Sequence, residues 1–286
     1  MQRPLLIVNP IASSVSDTRL EEVVEVLGDV EVRRTERAGH ATELAGDAEG
    51  RPALYVFSGD GGFNEVLNGL RADVPVGFVP GGGANVLPRA LGIPRDPVGA
   101  ARRLLAGRTK RISLGRVNGR RFAFAAGVGL DAEVVRRVDR LGRSEEGGRA
   151  GNLKFAWTVA NLVAEHRGRF APALEIAGYG PAAFALVANC DPFTYAGPLP
   201  VRVAPRARFE LGLDFAAPPE VSPMGIPRLL LRFATGRGDG LLHGHDLDRI
   251  EVRCNEPLPL QADGEDLGDV ETAVFEAERD AVTVLV

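Results

Sequence analysis

Two glycine-rich turns, each set between an apolar run and a helix-like segment, constrain this chain more than any other feature. The first, Ser58-Gly59-Asp60-Gly61-Gly62, follows the apolar run 53–57 and precedes 63–70. The second contains Gly81, Gly82 and Gly83 and closes on Asn85, between the apolar run 76–79 and the segment 86–91. Glycine adopts positive φ and carries no Cβ, so backbone N–H groups can close around an anion. A following helix adds its positive N-terminal end. Two such turns one βαβ unit apart are expected side by side at the carboxyl edge of a parallel sheet, where open α/β folds bind ligands. The expected ligand is a phosphate.

The surrounding pattern agrees. Strands are expected at 5–8, 30–34, 53–57 and 76–79, alternating with helices at 18–27, 40–48, 63–70 and 97–106. That alternation predicts an α/β domain with a parallel, doubly wound sheet over residues 1–111. From 112 the rhythm changes to short apolar runs at 112–117, 122–127, 174–176, 182–190, 229–233, 249–252, 258–262, 272–275 and 281–286. Pro and Gly separate them, which predicts a mainly antiparallel β-sandwich over 112–286. Two helices, 132–141 and 152–166, interrupt it. The stretch 142–151 holds too little apolar content to pack and is expected to be a mobile loop. Two domains meeting at a cleft is the predicted organisation.

Composition removes several function classes. A net charge of -4 argues against a nucleic-acid partner. Cys190 and Cys254 are too few for a disulfide framework or a zinc site and are expected as free thiols. No run approaches the ~18 apolar residues of a membrane span, and residues 1–8 read as a first strand rather than a signal peptide. A cytoplasmic protein is expected. The only lysines, Lys110 and Lys154, lack the Gly-Lys-Ser/Thr context of a Walker A loop, which excludes a P-loop NTPase.

Asp60 poses a chemical question. A carboxylate beside a phosphate is repelled unless a metal lies between them or it accepts a proton or hydrogen bond. Asp-Gly is also an ordinary turn dipeptide, but the second glycine turn and the strand–turn–helix context favour a functional role. Several further segments carry a resemblance: Asn9-Pro10, Gly39-His40-Ala41, Gly59-Asp60-Gly61 with Asn64-Glu65 and Asn68-Gly69, Pro80-Gly81 with Asn85, the run from Gly127 to Asp131-Ala132, and the run from Leu260 to Asp263-Gly264-Glu265. Taken in order, this set resembles the diacylglycerol kinase catalytic-domain family, which includes bacterial lipid kinases and sphingosine kinases. That family shares its nucleotide domain with NAD kinases and phosphofructokinases.

The resemblance implies an ATP-dependent lipid kinase, with ATP in the inter-domain cleft and Mg²⁺ as its companion ion. It places the phosphates on Ser58, Gly59, Gly61 and Gly62 and on Gly81, Gly82 and Gly83. Asn85 would donate to the nucleotide and Asn9 would shape the site. Asp60 would orient the phosphates through Mg²⁺ or act on the acceptor hydroxyl. Asp263 and Glu265 are candidates for taking the hydroxyl's proton, although Asp263-Gly264 also fits a hairpin turn. The acidic loop that holds a structural Mg²⁺ in some relatives is reduced here to Glu210 and Asp214.

There are departures from the family pattern. Its usual Thr after Gly-Asp-Gly is Gly62 here, the Asp often found after the Asn is Val86, and the lysine of the first turn is missing, with Arg19 or Arg89 as substitutes. Trp157 reads as a packing aromatic on a helix that could also line an acyl-chain pocket. Arg136, Arg137, Arg140 and Arg143 form a basic stretch, either solvated or facing anionic lipid. His243 and His245 have a metal-like spacing without clustered partners. A lipid acceptor requires peripheral membrane contact, since drawing a sixteen-carbon chain into water costs ~13 kcal/mol. The second domain is expected to supply that contact. Two alternatives stay open: an NAD kinase-like enzyme acting on a soluble hydroxyl compound, and a non-catalytic nucleotide-binding regulator.

Overall fold

The computed structural model of the chain describes residues 2–142, 152–237 and 239–286. They form two compact units, Met1–Leu114 with Arg279–Val286, and Gly115–Glu278.

Unit 1 alternates strand and helix: β1 (Leu5–Val8), α1 (Asp17–Leu27), β2 (Glu31–Arg34), α2 (His40–Ala45), β3 (Leu54–Ser58), α3 (Asp60–Gly69), β4 (Val76–Pro80), α4 (Val86–Ala90), α5 (Pro97–Leu105) and the start of β5 (Thr109–Val117). The helices begin where local chemistry tells them to. Ser16 caps α1 by accepting the Arg19 N–H at 3.2 Å, and Asp96 caps α5 ahead of Pro97. Each such cap is worth ~1 kcal/mol. Helix α1 then buries Leu20, Val23 and Leu27, one stripe of its surface.

Strands β1, β3 and β4 are buried at every residue, which is why they read as unbroken apolar runs. Their order is β2-β1-β3-β4, all parallel, with Leu5 beside both Glu31 and Leu54, and Val56 beside Phe78. The order reverses between β1 and β3, so a topological switch point lies at their carboxyl ends. The chain's last residues return to this sheet, placing Val284 parallel to Val76. The C-terminal run 281–286 thus counts with unit 1, where a division at 111/112 leaves it in the second domain.

Unit 2 contains the end of β5, β6 (Arg120–Phe122), β7 (Ala125–Val128), α6 (Leu130–Gly142), α7 (Asn152–Glu165), β8 (Leu174–Ile176), β9 (Gly180–Ala182), β10 (Ala185–Ala188), β11 (Thr194–Ala196), β12 (Leu199–Val201), β13 (Leu213–Ala217), α8 (Ile226–Thr235), β14 (Leu242–Leu247), β15 (Arg249–Ala262) and most of β16 (Glu265–Leu285). Its ladders are antiparallel, running β14-β13-β10-β7-β15-β16, with β8 also on β15 and β11–β12 a separate ribbon. Inward residues of these strands build one core around Phe122, Phe215 and Phe275. Phe122 and Phe275 meet edge to face at 6.3 Å.

Residues 229–233, expected as a strand, belong to α8. Pro227 sits in its first turn, and Gly236, at φ 68°, ends it with its N–H donating to the Arg232 carbonyl. A short apolar run has no period of its own, so strand and helix are hard to tell apart there. The expected loop 142–151 lies, apart from Gly142, outside the described residues. Cys190 is buried and Cys254 half-buried, both as free thiols. Among the described residues no helix is long and apolar enough to cross a membrane.

Candidate phosphate site and acceptor-side carboxylates

Three loops leave the carboxyl ends of β1, β3 and β4, and backbone hydrogen bonds tie them together. Asn9 N–H donates to the Phe57 carbonyl at 3.0 Å, Ser14 N–H to Gly81 O at 2.8 Å, and Gly81 N–H to Ser58 O at 2.6 Å. The two glycine turns are in contact: a Cβ on Gly82 would stand 2.7 Å from the Gly59 Cα, and one on Gly59 would stand 3.2 Å from the Gly82 Cα. Only glycine allows that approach. At Gly61 and Gly83, by contrast, an added Cβ would meet nothing within 4 Å, so both turns open on one side to free space.

Helix α3 starts inside the first turn, with Gly59 as its N-cap. Its first intrahelical bond is Phe63 N–H to Gly59 O, so the amides of Asp60, Gly61 and Gly62 precede the helix's own ladder. These are the donors a helix N-terminus offers to an anion. The N–H groups of Gly81 and Gly82 donate to Ser58 O and to Asn85 Oδ1 (2.9 Å), which holds the turns together.

Asn85 is used in the same way. It sits at φ 49°, and its Nδ2 donates to Gly82 O at 2.6 Å while its Oδ1 accepts from Gly82 N–H. These two bonds close the turn from within. Asn9 shapes the first loop by accepting the Ile11 N–H on Oδ1 at 3.2 Å. Two arginines reach the neighbouring loops: Arg19 Nη1 donates to Ser14 O at 2.9 Å and Arg89 Nη1 to Ala84 O at 3.4 Å.

The family's missing threonine has a steric explanation. A Cβ on Gly62 would lie 2.1 Å from Ser58 Oγ. Serine at 58 and a side chain at 62 compete for one space, so Ser58 requires glycine at 62. Ser58 Oγ is buried and has no hydrogen-bond partner among the described residues. Asp60 is 3% exposed, and its Oδ1 accepts the Leu87 N–H at 3.3 Å, linking the starts of α3 and α4. The paired motifs nearby are also one contact: Glu65 Oε2 accepts the Ala41 N–H, Thr42 Oγ1 donates to Glu65 O, and Gly69 leaves room for the Thr42 carbonyl.

In unit 2, Asp263 and Gly264 both have positive φ and connect Ala262 to its pair Glu265, the geometry of a two-residue hairpin turn. The Asp263 carboxylate accepts the N–H groups of Ala123 (2.6 Å), Phe124 (3.0 Å) and Ala125 (3.2 Å), and its own N–H donates to Ala125 O. These bonds fix the turn and the position of the carboxylate. Glu265, about half exposed, pairs with Arg120.

Asp131, whose motif the sequence displays without marking it as a site, is the carboxyl whose surroundings shift it most. It stands in the first turn of α6, and burial pushes its pKa up to about 6 despite the Gln261 Nε2 donation at 2.6 Å. Gln261 also accepts the Gly264 N–H, and Gly127 is glycine because a Cβ would meet Asp131 Oδ2 at 2.5 Å. A shift of that size in a carboxyl comes from tertiary burial, which short-range sequence does not report.

Asp214 and Glu210 lie in different surroundings. Asp214 is buried on β13, with both oxygens 2.9 Å from His245 Nδ1 and one accepting the Asp246 N–H, while Glu210 is exposed. Among the described residues no three His, Cys, Asp or Glu side chains cluster as a metal site. His243 faces Leu241 O instead. Of the basic stretch, Arg136 pairs with Asp266 and Asp269, Arg137 with Glu133 and Glu165, and Arg143 lies outside the described residues. Trp157, expected to pack, is 60% exposed.

Residues 3–117 match the family model described as the diacylglycerol kinase catalytic domain. The chain is 37% identical over 148 residues to a diacylglycerol kinase of Bacillus subtilis, a match covering 47% of this chain and 48% of that one. It is 33% identical over 146 residues to a diacylglycerol kinase of Staphylococcus carnosus, covering 46% and 47%. The chain thus spans about half the length of the curated relatives it matches. In fold it is similar to a crystal structure of a diacylglycerol kinase from Bacillus anthracis, with TM-score 0.72, 21% identity and coverage of 99% and 96%. It also resembles an NAD kinase from Archaeoglobus fulgidus solved with ATP, with TM-score 0.54, 14% identity and coverage of 99% and 93%. The resemblance to the diacylglycerol kinase catalytic-domain family is thereby shown, over residues 3–117 by the family model.

Proposed function

We propose that the protein is an ATP-dependent lipid kinase, moving the γ-phosphoryl group of ATP to a lipid hydroxyl of the diacylglycerol or sphingosine type. The contact of Gly59 with Gly82 carries this reading. It sets two glycine turns side by side at the carboxyl edge of a parallel sheet, next to its switch point, where α/β folds hold nucleotides. The amides of Asp60, Gly61 and Gly62 suit an anion, and Arg19 and Arg89 bring positive charge to the neighbouring loops.

Asp60 is the one carboxylate within the glycine turns. One or two carboxylates plus substrate phosphates are the usual setting for Mg²⁺, so the residues fit an ion that arrives with ATP. When bound, that ion would neutralise charge on the transferring group. On the acceptor side, the hydroxyl oxygen bonds to the γ-phosphorus as the bridging oxygen leaves with ADP. The hydroxyl proton needs a base. Asp263 and Glu265 are candidates, and Asp131, pushed up to about 6, adds a third whose pKa suits that work near neutrality.

Incubation with labelled ATP, Mg²⁺ and a panel of diacylglycerol, sphingosine and NAD tests the reading. Label in the lipid fraction is the expected result. Transfer to NAD alone would replace it with a soluble-substrate kinase, and ATP binding without transfer would leave a nucleotide-binding regulator.

A further inference from the structure

Helix α8 turns an apolar face to solvent. Pro227, Leu230, Leu231 and Ala234 follow the i, i+3, i+4, i+7 spacing of one helix face, and all four are exposed, Leu230 by 59% and Leu231 by 64%. The opposite side already has its partners: Ile226, Leu229 and Phe233 are half-buried, and the Phe233 carbonyl accepts the Arg202 N–H at 2.6 Å. Two more aliphatics extend the outer surface. Met224, in the turn before the helix, is 93% exposed, and Leu199, on the neighbouring strand β12, is 67% exposed.

A surface helix ordinarily shows polar residues outward. This one shows leucines, and its charge is one-sided. The chain carries a net charge of -4, yet α8 contains Arg228 and Arg232 and no acidic residue, with Arg228 exposed beside the apolar face. Apolar side chains on one arc with arginine at its edge are what a helix lying in a lipid headgroup layer requires. We propose that α8 is an interfacial helix that docks on an anionic lipid surface, with Leu230, Leu231 and Met224 entering the acyl boundary and Arg228 meeting the headgroups. The choice of a bilayer over a protein rests on the lipid-kinase reading together with this charge.

The full chain is floated with vesicles of phosphatidylcholine alone or of equal parts phosphatidylcholine and phosphatidylglycerol, without ATP. Binding to the anionic vesicles is expected to be about fivefold tighter, the gain of one arginine near such a surface. L230E/L231E is expected to lose that binding with an unchanged circular dichroism melt, because both side chains are exposed. R228E is expected to lose most of the anionic preference. The proposal is overturned if L230E/L231E still floats, or if wild type fails to float while phosphorylating a short-chain, water-soluble diacylglycerol. That last result would leave the kinase reading intact. Leucine-dependent flotation without any phosphate transfer would support the docking surface and count against the kinase. Self-association abolished by L230E/L231E, with vesicle binding unaltered, would assign the face to a second copy and overturn the lipid.

Discussion

Gly59 and Gly82 touch backbone to backbone: any side chain on residue 82 would begin 2.7 Å from the Gly59 Cα. These two residues come from turns 23 positions apart in the chain, and the parallel pairing of β3 with β4 brings them together. The contact converts two separately ordinary glycine turns into one surface.

Substitution at these positions should divide sharply. Gly82→Ala forces backbone against backbone, and overpacking of this kind costs ~1–3 kcal/mol. Gly83→Ala, where the new methyl meets nothing, should change stability by no more than ~0.5 kcal/mol. Urea denaturation of both variants checks the contrast, and equal losses would show that the contact is not what matters.

Ser58 and Gly62 should behave as a coupled pair. Gly62→Thr alone places its Cβ 2.1 Å from Ser58 Oγ and should lower stability by ~1–3 kcal/mol. Removing the obstruction with Ser58→Gly in the same chain should recover most of that loss, giving a coupling energy of ~1–3 kcal/mol in a double-mutant cycle. Urea denaturation of the four proteins measures it. Additive effects would contradict the shared-space explanation for the missing threonine.

Asp60→Asn keeps an oxygen to accept the Leu87 N–H, so its melting temperature should stay within a few degrees of wild type while turnover falls by ~10²-fold or more. Normal turnover in this variant would remove Asp60 from the mechanism.

Asp131 makes a pH-dependent prediction. Its folded pKa of about 6 lies above the ordinary carboxyl value of 3.8, so the folded state holds this proton more tightly than the unfolded chain. Between about pH 4 and 6 unfolding therefore releases a proton, and this group's contribution to stability declines as pH rises through that window. Asp131→Asn escapes the penalty and still offers an oxygen to Gln261. It should be more stable than wild type at pH 8, by at most about 3 kcal/mol, with the difference vanishing below pH 4. If Asp131 takes the acceptor's proton, the same variant loses ~10²–10⁴-fold in kcat. Melts across pH and initial rates at pH 8 read both outcomes.

What the sequence revealed and what it hid have separable causes. The parallel layer of unit 1 was legible because β1, β3 and β4 are short, wholly apolar and punctuated by glycine. The proximity of Gly59 and Gly82 followed from the same alternation. Individual roles were less legible, since they depend on which donor meets which acceptor. That Gly81, Gly82 and Asn85 bond to one another's loops was not legible, because those partners meet only in the fold. Nor were the three amides of residues 123–125, which reach Asp263 from about 140 positions away. Leucines 229–231 suggested a strand because adjacent apolar residues carry no period. Only the exposed set 227, 230, 231 and 234 reveals the helix and its outward face.

The central claim is that both glycine turns bind one ligand. Amide NMR during titration with ATP tests it most directly. The resonances of Gly61 and Gly62 in the first turn and of Gly83 and Ala84 in the second should shift together, along curves described by one dissociation constant. Shifts confined to one turn, or two unrelated binding curves, would contradict the account.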